Sequence, residues 1–175
     1  MFRRRRFMIA LKIDNIKEFM HLLLLSETFD HFLLSEASIT TFATMILDGH
    51  SYADFFSPED EGYEMIAEES YAPFALLRPC CLDFIKGKRT PVSFKFVFLL
   101  SKVNQEKTLA SLHSSFATED ISGMYLNLKY QTGEIICTTG ISYRNFSMDK
   151  SLDQAWDDMV IRFFKNHKIL FETLT

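Results

Sequence analysis

The sequence predicts an α+β fold in which helices cover one mainly antiparallel sheet. Residues 92–100 carry large apolar side chains at alternate positions, which is typical of a buried strand. Leu152, Trp156 and Val160 recur at helical spacing and predict the core-facing side of a helix. Residues 131–134 contain a glycine between two alternating segments and predict a tight hairpin turn. The chain has 175 residues, 47% of them hydrophobic, which suffices for one core and excludes a disordered chain.

The first half of the chain predicts a strand, a helix, a pair of strands and a second helix. The opening strand covers residues 8–13, and Asp14 is predicted to cap the next helix because its carboxylate can accept from the first-turn amides. Residues 32–47 then alternate with a period of two. Since this segment is long for one strand, we expect a bend or hairpin near residues 36–38. Helical spacing returns over residues 74–85.

Residues 50–70 are the most acidic part of the chain, with seven Asp and Glu and no Lys or Arg. A calcium-binding loop needs carboxylates at alternating positions around a glycine turn, and this segment lacks that order. We therefore predict a solvated acidic loop, with a cation site as the alternative.

The second half predicts the same order of elements. Asn104 is expected to cap a short helix after the buried strand. Residues 124–130 and 135–143 alternate on either side of the glycine turn and predict a hairpin. Ser151 and Gln154 have the spacing of a capping box at the start of the last helix. Residues 8–175 are thus predicted to be one domain of two similar β-α-β-β-α halves, covering about residues 8–90 and 91–170.

The hairpin of residues 121–140 resembles the hairpin of a DNA sliding-clamp repeat. A clamp repeat passes directly from its hairpin to the next strand, whereas here a helix follows each hairpin, and that order looks more like the saddle repeat of the TATA-binding protein. These resemblances imply a clamp-like or saddle-like sheet, and the clamp resemblance implies DNA as a partner.

Three longer segments, residues 26–42, 85–91 and 149–157, are similar to a small family of uncharacterised bacterial proteins. That resemblance implies no known activity, cofactor or catalytic residue.

Charge is distributed unevenly along the chain. The net charge is −4, but four arginines occupy residues 3–6, and the remaining 15 basic and 23 acidic residues give −8. An acidic body argues against a broad phosphate-binding surface.

Residues 1–7 are predicted to be a disordered basic extension. They do not begin a signal peptide, because the apolar stretch that follows them ends at Lys12 and is shorter than the apolar region of a signal peptide. A basic arm that touches nucleic acid is the alternative.

The cysteines and the hydropathy of the chain indicate a cytoplasmic protein. Cys80, Cys81 and Cys137 lack the CxxC spacing of a zinc site and do not form a disulfide framework. No run of about 20 apolar residues is present to span a bilayer, so we expect no membrane association.

Lys86, Lys88 and Arg89 form a compact cationic segment between a predicted helix and a predicted strand. One interpretation is structural: the cations offset the negative end of the helix dipole, and Gly87 follows the last helical turn. The other is an anion-binding loop over residues 86–90 that holds a phosphate-bearing ligand or an acidic protein. Strand lysines at positions 12, 95 and 129 would extend such a patch if they shared its face.

His31 and His50 are the candidates for metal or acid–base chemistry, because Glu36 and Asp48 lie near them in sequence. Their spacing matches no established metal-ligand pattern, and the GxSxG, P-loop, GxGxxG and HExxH motifs are absent. We therefore predict a non-enzymatic binding or scaffolding domain with no cofactor, no metal and no catalytic residue. The alternatives are a nucleic-acid-associated clamp-like protein and a hydrolase-type enzyme that uses the His31 and His50 region.

Overall fold

The computed structural model describes residues 8–112 and 116–174, and the predicted basic extension of residues 1–7 lies outside them. The strands are β1 (Ala10–Ile13), β2 (Leu33–Thr40), β3 (Thr44–Asp48), β4 (Ser93–Leu99), β5 (Ile121–Gln131), β6 (Glu134–Tyr143) and β7 (Phe171–Leu174). The helices are α1 (Ile16–Leu24), α2 (Glu61–Ile66), α3 (Phe74–Ile85), α4 (Lys102–Ser111) and α5 (Ser151–Asn166). No helix in the described ranges is long and apolar enough to cross a bilayer. The α+β class is confirmed.

The strands form one continuous antiparallel sheet in the order β3-β2-β4-β5-β6-β1-β7. Strand β4 lies inside the sheet, where Phe96 is aligned with Ala37 of β2 on one side and with Leu128 of β5 on the other. Strands β3 and β7 form the two edges. The segment predicted to be a buried strand is therefore paired on both sides, which accounts for its large apolar side chains.

Helices cover one face of the sheet and form the main core with it. Phe94, Phe96 and Phe98 alternate along β4 toward this face, and they belong to the same buried cluster as Phe74 of α3 and Trp156 of α5. The ring centroids of Phe74 and Phe98 are 4.9 Å apart in an edge-to-face arrangement, a favourable geometry for aromatic pairs. The abundance of phenylalanine in the sequence is thus explained by a core of contacting rings.

The opposite face of the sheet is polar over part of its area and also carries buried apolar side chains. Val97 and Leu99 alternate with the core phenylalanines and therefore point to this second face. Both are buried, as are Leu33 of β2 and Ile66 of α2, yet none of the four belongs to the main cluster. Ser70 and Tyr71, which follow α2, line one cavity together with Leu33 and Leu99.

We call residues 50–70, which include α2, the acidic excursion. Its two ends lie side by side, because the backbone N–H of Ala72 donates to the carbonyl of Gly49 at 2.8 Å and that of Ser51 donates to the carbonyl of Ser70 at 3.0 Å. A Cβ atom on Gly49 would lie 1.7 Å from the carbonyl oxygen of Leu34, so only glycine fits where the chain leaves β3. The predicted loop is therefore a closed excursion that contains a short helix.

The two halves differ in their elements, since α2 lies between β3 and α3 and has no counterpart after β6, and their strands also pair differently. Strand β1 pairs with β6 and β7, whereas β4, its counterpart in the second half, pairs with β2 and β5. A repeat would place the first strand of each half in an equivalent position. The resemblance to a clamp or saddle repeat is therefore not supported.

Three helix starts differ from the sequence expectation by one to three residues. Asn15, not Asp14, caps α1, and its side chain accepts from the backbone N–H of Glu18 at 3.1 Å. Ser101, not Asn104, caps α4. Helix α5 begins at Ser151 itself, whose N–H donates to the carboxylate of Asp149 at 2.9 Å, so the predicted capping box is absent. In each case the capping residue is the first one whose backbone leaves the helical conformation. The spacing of residue types in the sequence does not determine which residue that is.

The turn between β2 and β3 lies at residues 41–43 and not at the predicted residues 36–38. Thr40 and Thr44 face each other across this turn with their hydroxyl oxygens 2.9 Å apart. The pairing of β2 with β4 has an irregularity between Leu34 and Glu36 but no reversal. Alternation continues through such a short turn, so the period of the sequence does not reveal it.

Candidate functional site

The predicted cationic residues lie together in the loop between α3 and β4. Lys86 ends the helix: its N–H donates to the carbonyl of Leu82, and its Nζ is 2.8 Å from the Asp83 carboxylate. Gly87 follows with a φ of 145°, a backbone conformation that other residues rarely adopt. Lys88 and Arg89 are exposed and have no ion pair with any residue in the described ranges. The loop therefore carries one cation paired at the helix end and two unpaired ones.

The tip of the β2–β3 hairpin meets this loop. The backbone N–H of Val92 donates to the carbonyl of Thr40 at 2.8 Å. At the tip, Phe42 is 94% exposed, and its ring centroid is 6.0 Å from that of Phe84 on α3. Val92 is 66% exposed beside them. Apolar side chains and unpaired cations are thus brought to one place on the surface.

We call this place the cationic cleft. It has a volume of about 720 Å³ and is lined by Thr41, Phe42, Phe84, Lys88, Arg89 and Val92, among others. The sequence indicates the cations but not the aromatic group, because Phe42 falls on the polar side of an alternating strand. The sequence signal that could have indicated the aromatic group is Phe42 itself, a large aromatic residue among polar residues and next to a turn.

The strand lysines contribute little free charge to this cleft. Lys12 is 2.7 Å from Glu134, and Lys95 is 2.8 Å from Glu36. Lys129 lies directly across from Lys95 on the neighbouring strand. Two of the three lysines that could have extended the patch are therefore paired with acids.

The two candidate histidines line different cavities. His31 lies beside Phe163 and Met159 of α5, whereas His50 lies at the other cavity, next to Tyr71, with ring centroids 4.6 Å apart. Glu36 lies directly across from Asp48 on the neighbouring strand, but its carboxylate pairs with Lys95. Three of the four residues proposed for a hydrolase are therefore neighbours, whereas His31 lies apart from them. Within the described ranges, no group of three or more His, Cys, Asp or Glu side chains could hold a metal ion.

Asp48 orients His50 at the start of the acidic excursion. The Asp48 carboxylate accepts from the His50 backbone N–H at 3.0 Å and lies 2.5 Å from ring atom Nδ1. These two contacts, the backbone one first, hold the pKa of Asp48 below its usual value. The adjoining cavity of about 710 Å³ is also lined by Glu69, Tyr125 and Arg144, so its charge is mixed. Such an arrangement could hold a polar group beside His50.

Glu69 closes the acidic excursion against α4. Its carboxylate accepts from the backbone N–H of Lys102, the first residue of that helix, at 3.1 Å. Burial raises the pKa of Glu69 despite this contact. The positive end of the helix is thus engaged by a side chain of the same protein.

Two acids of α5 lie against β6, which the sequence analysis did not anticipate. The Tyr143 hydroxyl donates to Asp153 at 2.7 Å, and the Thr139 hydroxyl donates to Asp157. Burial, followed by the contact with Asp153, raises the pKa of Tyr143. No contact role for these two acids was predicted from the sequence. Their positions one turn apart, beside the apolar stripe, were the available signal.

Residues 22–172 match the model of a family of unknown function, DUF5721. The chain belongs to this family. The resemblance to a family of uncharacterised proteins is thereby confirmed. No curated protein and no solved structure matches the chain. The DUF5721 match contains both the cationic cleft and the acidic excursion in full, so both surfaces belong to the part that defines the family.

Proposed function

We propose that this DUF5721 chain is a non-enzymatic binding domain that docks an acidic peptide segment in the cationic cleft. The observation that carries the proposal is Phe42, which is almost fully exposed beside Lys88 and Arg89. Aromatic side chains and arginine are enriched among the residues that dominate binding free energies. The cleft therefore offers both an apolar anchor and charge attraction to the same partner.

The chemistry of the cleft favours an acidic segment with apolar side chains over a nucleic acid. Carboxylates would pair with Lys88 and Arg89, and an apolar side chain would cover Phe42 and Val92. A nucleic acid needs a broad basic surface, whereas Lys12 and Lys95 are paired with acids and the chain outside residues 3–6 has a charge of −8.

A labelled peptide of alternating glutamate and phenylalanine tests the proposal by fluorescence anisotropy. Each exposed ion pair contributes about 0.2–1 kcal/mol, so K88A/R89A should weaken binding roughly 2- to 30-fold. Phe42→Ser should weaken it about tenfold or more, because it removes the aromatic anchor. Binding of the unsubstituted chain should fall steeply between about 0.05 and 0.5 M salt, where screening shortens the range of the charges.

R162A/K165A is the matched control, since it removes the same charge from the exposed side of α5, outside the cleft. It should leave peptide affinity almost unchanged. Equal affinity in K88A/R89A and the unsubstituted chain would remove the proposal. Tighter binding of a single-stranded oligonucleotide or of inorganic phosphate, lost in the same variant, would replace the acidic peptide with a phosphate ligand.

The free cysteines support a cytoplasmic location as part of this proposal. Cys80, Cys81 and Cys137 are unpaired, as is usual in a reducing compartment. Burial raises the pKa of Cys81 to about 12, which keeps its thiol protonated and unreactive. Thiol titration of protein isolated without reductant should find these thiols free, and an intermolecular disulfide through Cys80 would contradict the location.

A further inference from the structure

The acidic excursion has the properties expected of a partner for the cationic cleft. Residues 50–70 carry seven acids without a basic residue. Six of these acids are exposed and have no ion pair with any residue that the structure describes; they are Asp54, Glu59, Asp60, Glu61, Glu64 and Glu68. Two aromatic side chains project among them, Tyr52 at 74% exposure and Phe55 at 84%.

The cleft and the excursion lie at opposite ends of β2. The cleft is next to Thr40 at the end of the strand, and the excursion leaves the sheet beside Ser35 near its start, where the Gly49 N–H donates to the Ser35 carbonyl at 2.9 Å. At about 3.4 Å per residue, the ends of this eight-residue strand are roughly 25 Å apart. That separation exceeds the Debye length of about 8–10 Å at physiological salt, so the opposite charges do not neutralise each other within one molecule.

We propose that the partner of the cationic cleft is the acidic excursion of a second copy of this chain. Acidic residues of one copy approach Lys88 and Arg89 of the next, and Phe55 covers Phe42 and Val92 in the cleft. This inference rests on the proposed function, because it names the acidic peptide segment that the cleft binds.

The contact joins different surfaces of the two copies and is therefore head-to-tail. A pair of molecules joined in this way retains one unused cleft and one unused excursion, so association continues into chains or closes into a ring. Because both charged surfaces are exposed, the association should be weakened by salt.

Sedimentation equilibrium of the full chain tests the inference, with a pair of charge-reversal variants. K88E/R89E gives an acidic loop and an unchanged excursion. E59K/E61K/E64K changes the charge of residues 50–70 from −7 to −1 and leaves the cleft unchanged. Far-UV circular dichroism and melting temperature establish that each variant folds.

The unsubstituted chain should rise in weight-average mass above 20.4 kDa over a roughly hundredfold range of concentration, and it should return to that mass at high salt. Each reversal variant alone should stay near the monomer mass. An equimolar mixture of the two should associate again, because the excursion of the first variant and the cleft of the second are both intact. R162E/K165E, on the exposed side of α5, makes the same change in net charge as K88E/R89E and should associate like the unsubstituted chain.

Three results would overturn the inference. The first is a monomer at every concentration. In that case the peptide-binding experiment still tests the proposed function, because it does not depend on self-association. The second is association that K88E/R89E and R162E/K165E reduce equally, since position would then not matter. The third is association that disappears when R3Q/R4Q/R5Q/R6Q replaces the basic block, which would assign the binding to residues 3–6 and not to the cleft.

Discussion

Asp157 illustrates how a single carboxyl group can couple the stability of this fold to pH. It lies half-buried on α5, where the Thr139 hydroxyl donates to it, and burial raises its pKa above the ordinary value. At a pH between the pKa of Asp157 in the unfolded chain and its higher pKa in the folded protein, the folded state binds more protons than the unfolded state. The free energy of unfolding therefore falls as the pH rises through this range. Asp157→Asn retains an oxygen that accepts from Thr139 and removes the buried charge. We expect this variant to raise the free energy of unfolding by up to about 1 kcal/mol at neutral pH, a small amount because the carboxyl group is partly exposed. At low pH the difference should disappear, because Asp157 is then protonated and uncharged.

Thermal melts across the acid range check this expectation. Asp158→Asn is the control, because Asp158 is the exposed neighbour on the same helix. A lower melting temperature for Asp157→Asn at neutral pH would mean that the carboxylate gains more from its contacts than burial costs. The sequence placed Asp157 beside the apolar stripe of the helix, but it did not reveal the contact with Thr139, because only the fold determines how far that strand lies from α5.

At the scale of the element, α5 is held to the sheet by Trp156. This side chain is 2% exposed, and its Nε1 donates to the carbonyl of Tyr125 on β5 at 2.9 Å. Trp156→Ala should lower the free energy of unfolding by about 3–5 kcal/mol, through lost burial and a cavity. Chemical denaturation measures this loss, and a loss below about 1 kcal/mol would contradict the core position of Trp156. Trp156→Phe, which keeps much of the volume, should be milder.

The sequence predicted this element well because helical periodicity reports burial directly. Leu152, Trp156 and Val160 are buried as expected, and Phe164 continues the stripe. The predicted capping box failed because Ser151 lies one residue inside the helix, and local spacing does not determine which residue leaves helical geometry. The α+β class was therefore predictable, whereas helix starts and polar contacts between elements were not.

At the scale of the whole molecule, some buried apolar side chains lie outside the main core. Ile66 of α2 is one of them and is 4% exposed. Ile66→Ala should therefore speed amide hydrogen exchange in residues 50–72 far more than in β5 and β6. Exchange followed by mass spectrometry measures this difference. Uniform acceleration in both regions would mean that the excursion and the main core unfold together.

Strand order is the feature of the whole molecule that the sequence did not determine. Alternation identified β4, β5 and β6 as strands, but it contains no information on which strands become neighbours. The pairing of β1 with β6 joins residues such as Leu11 and Cys137 across most of the chain length. The cationic cleft was missed in part for the same reason: Lys88 was visible in the sequence, whereas its proximity to Phe42 results from the hairpin folding back onto the loop after α3.

The closed base of the acidic excursion has a consequence for how this family can diverge. Because Gly49 and Ala72 are already joined by a hydrogen bond, residues can be added or removed in the exposed part of this segment, away from Ile66 and Glu69, without changing how the strands pair. Each doubling of a flexible loop costs only about 0.6 kcal/mol in closure entropy. Insertions, deletions and changes of charge can therefore accumulate there while the sheet and its core stay the same. Divergent members of the family could thus exchange one partner for another by altering a single surface segment, without a new fold.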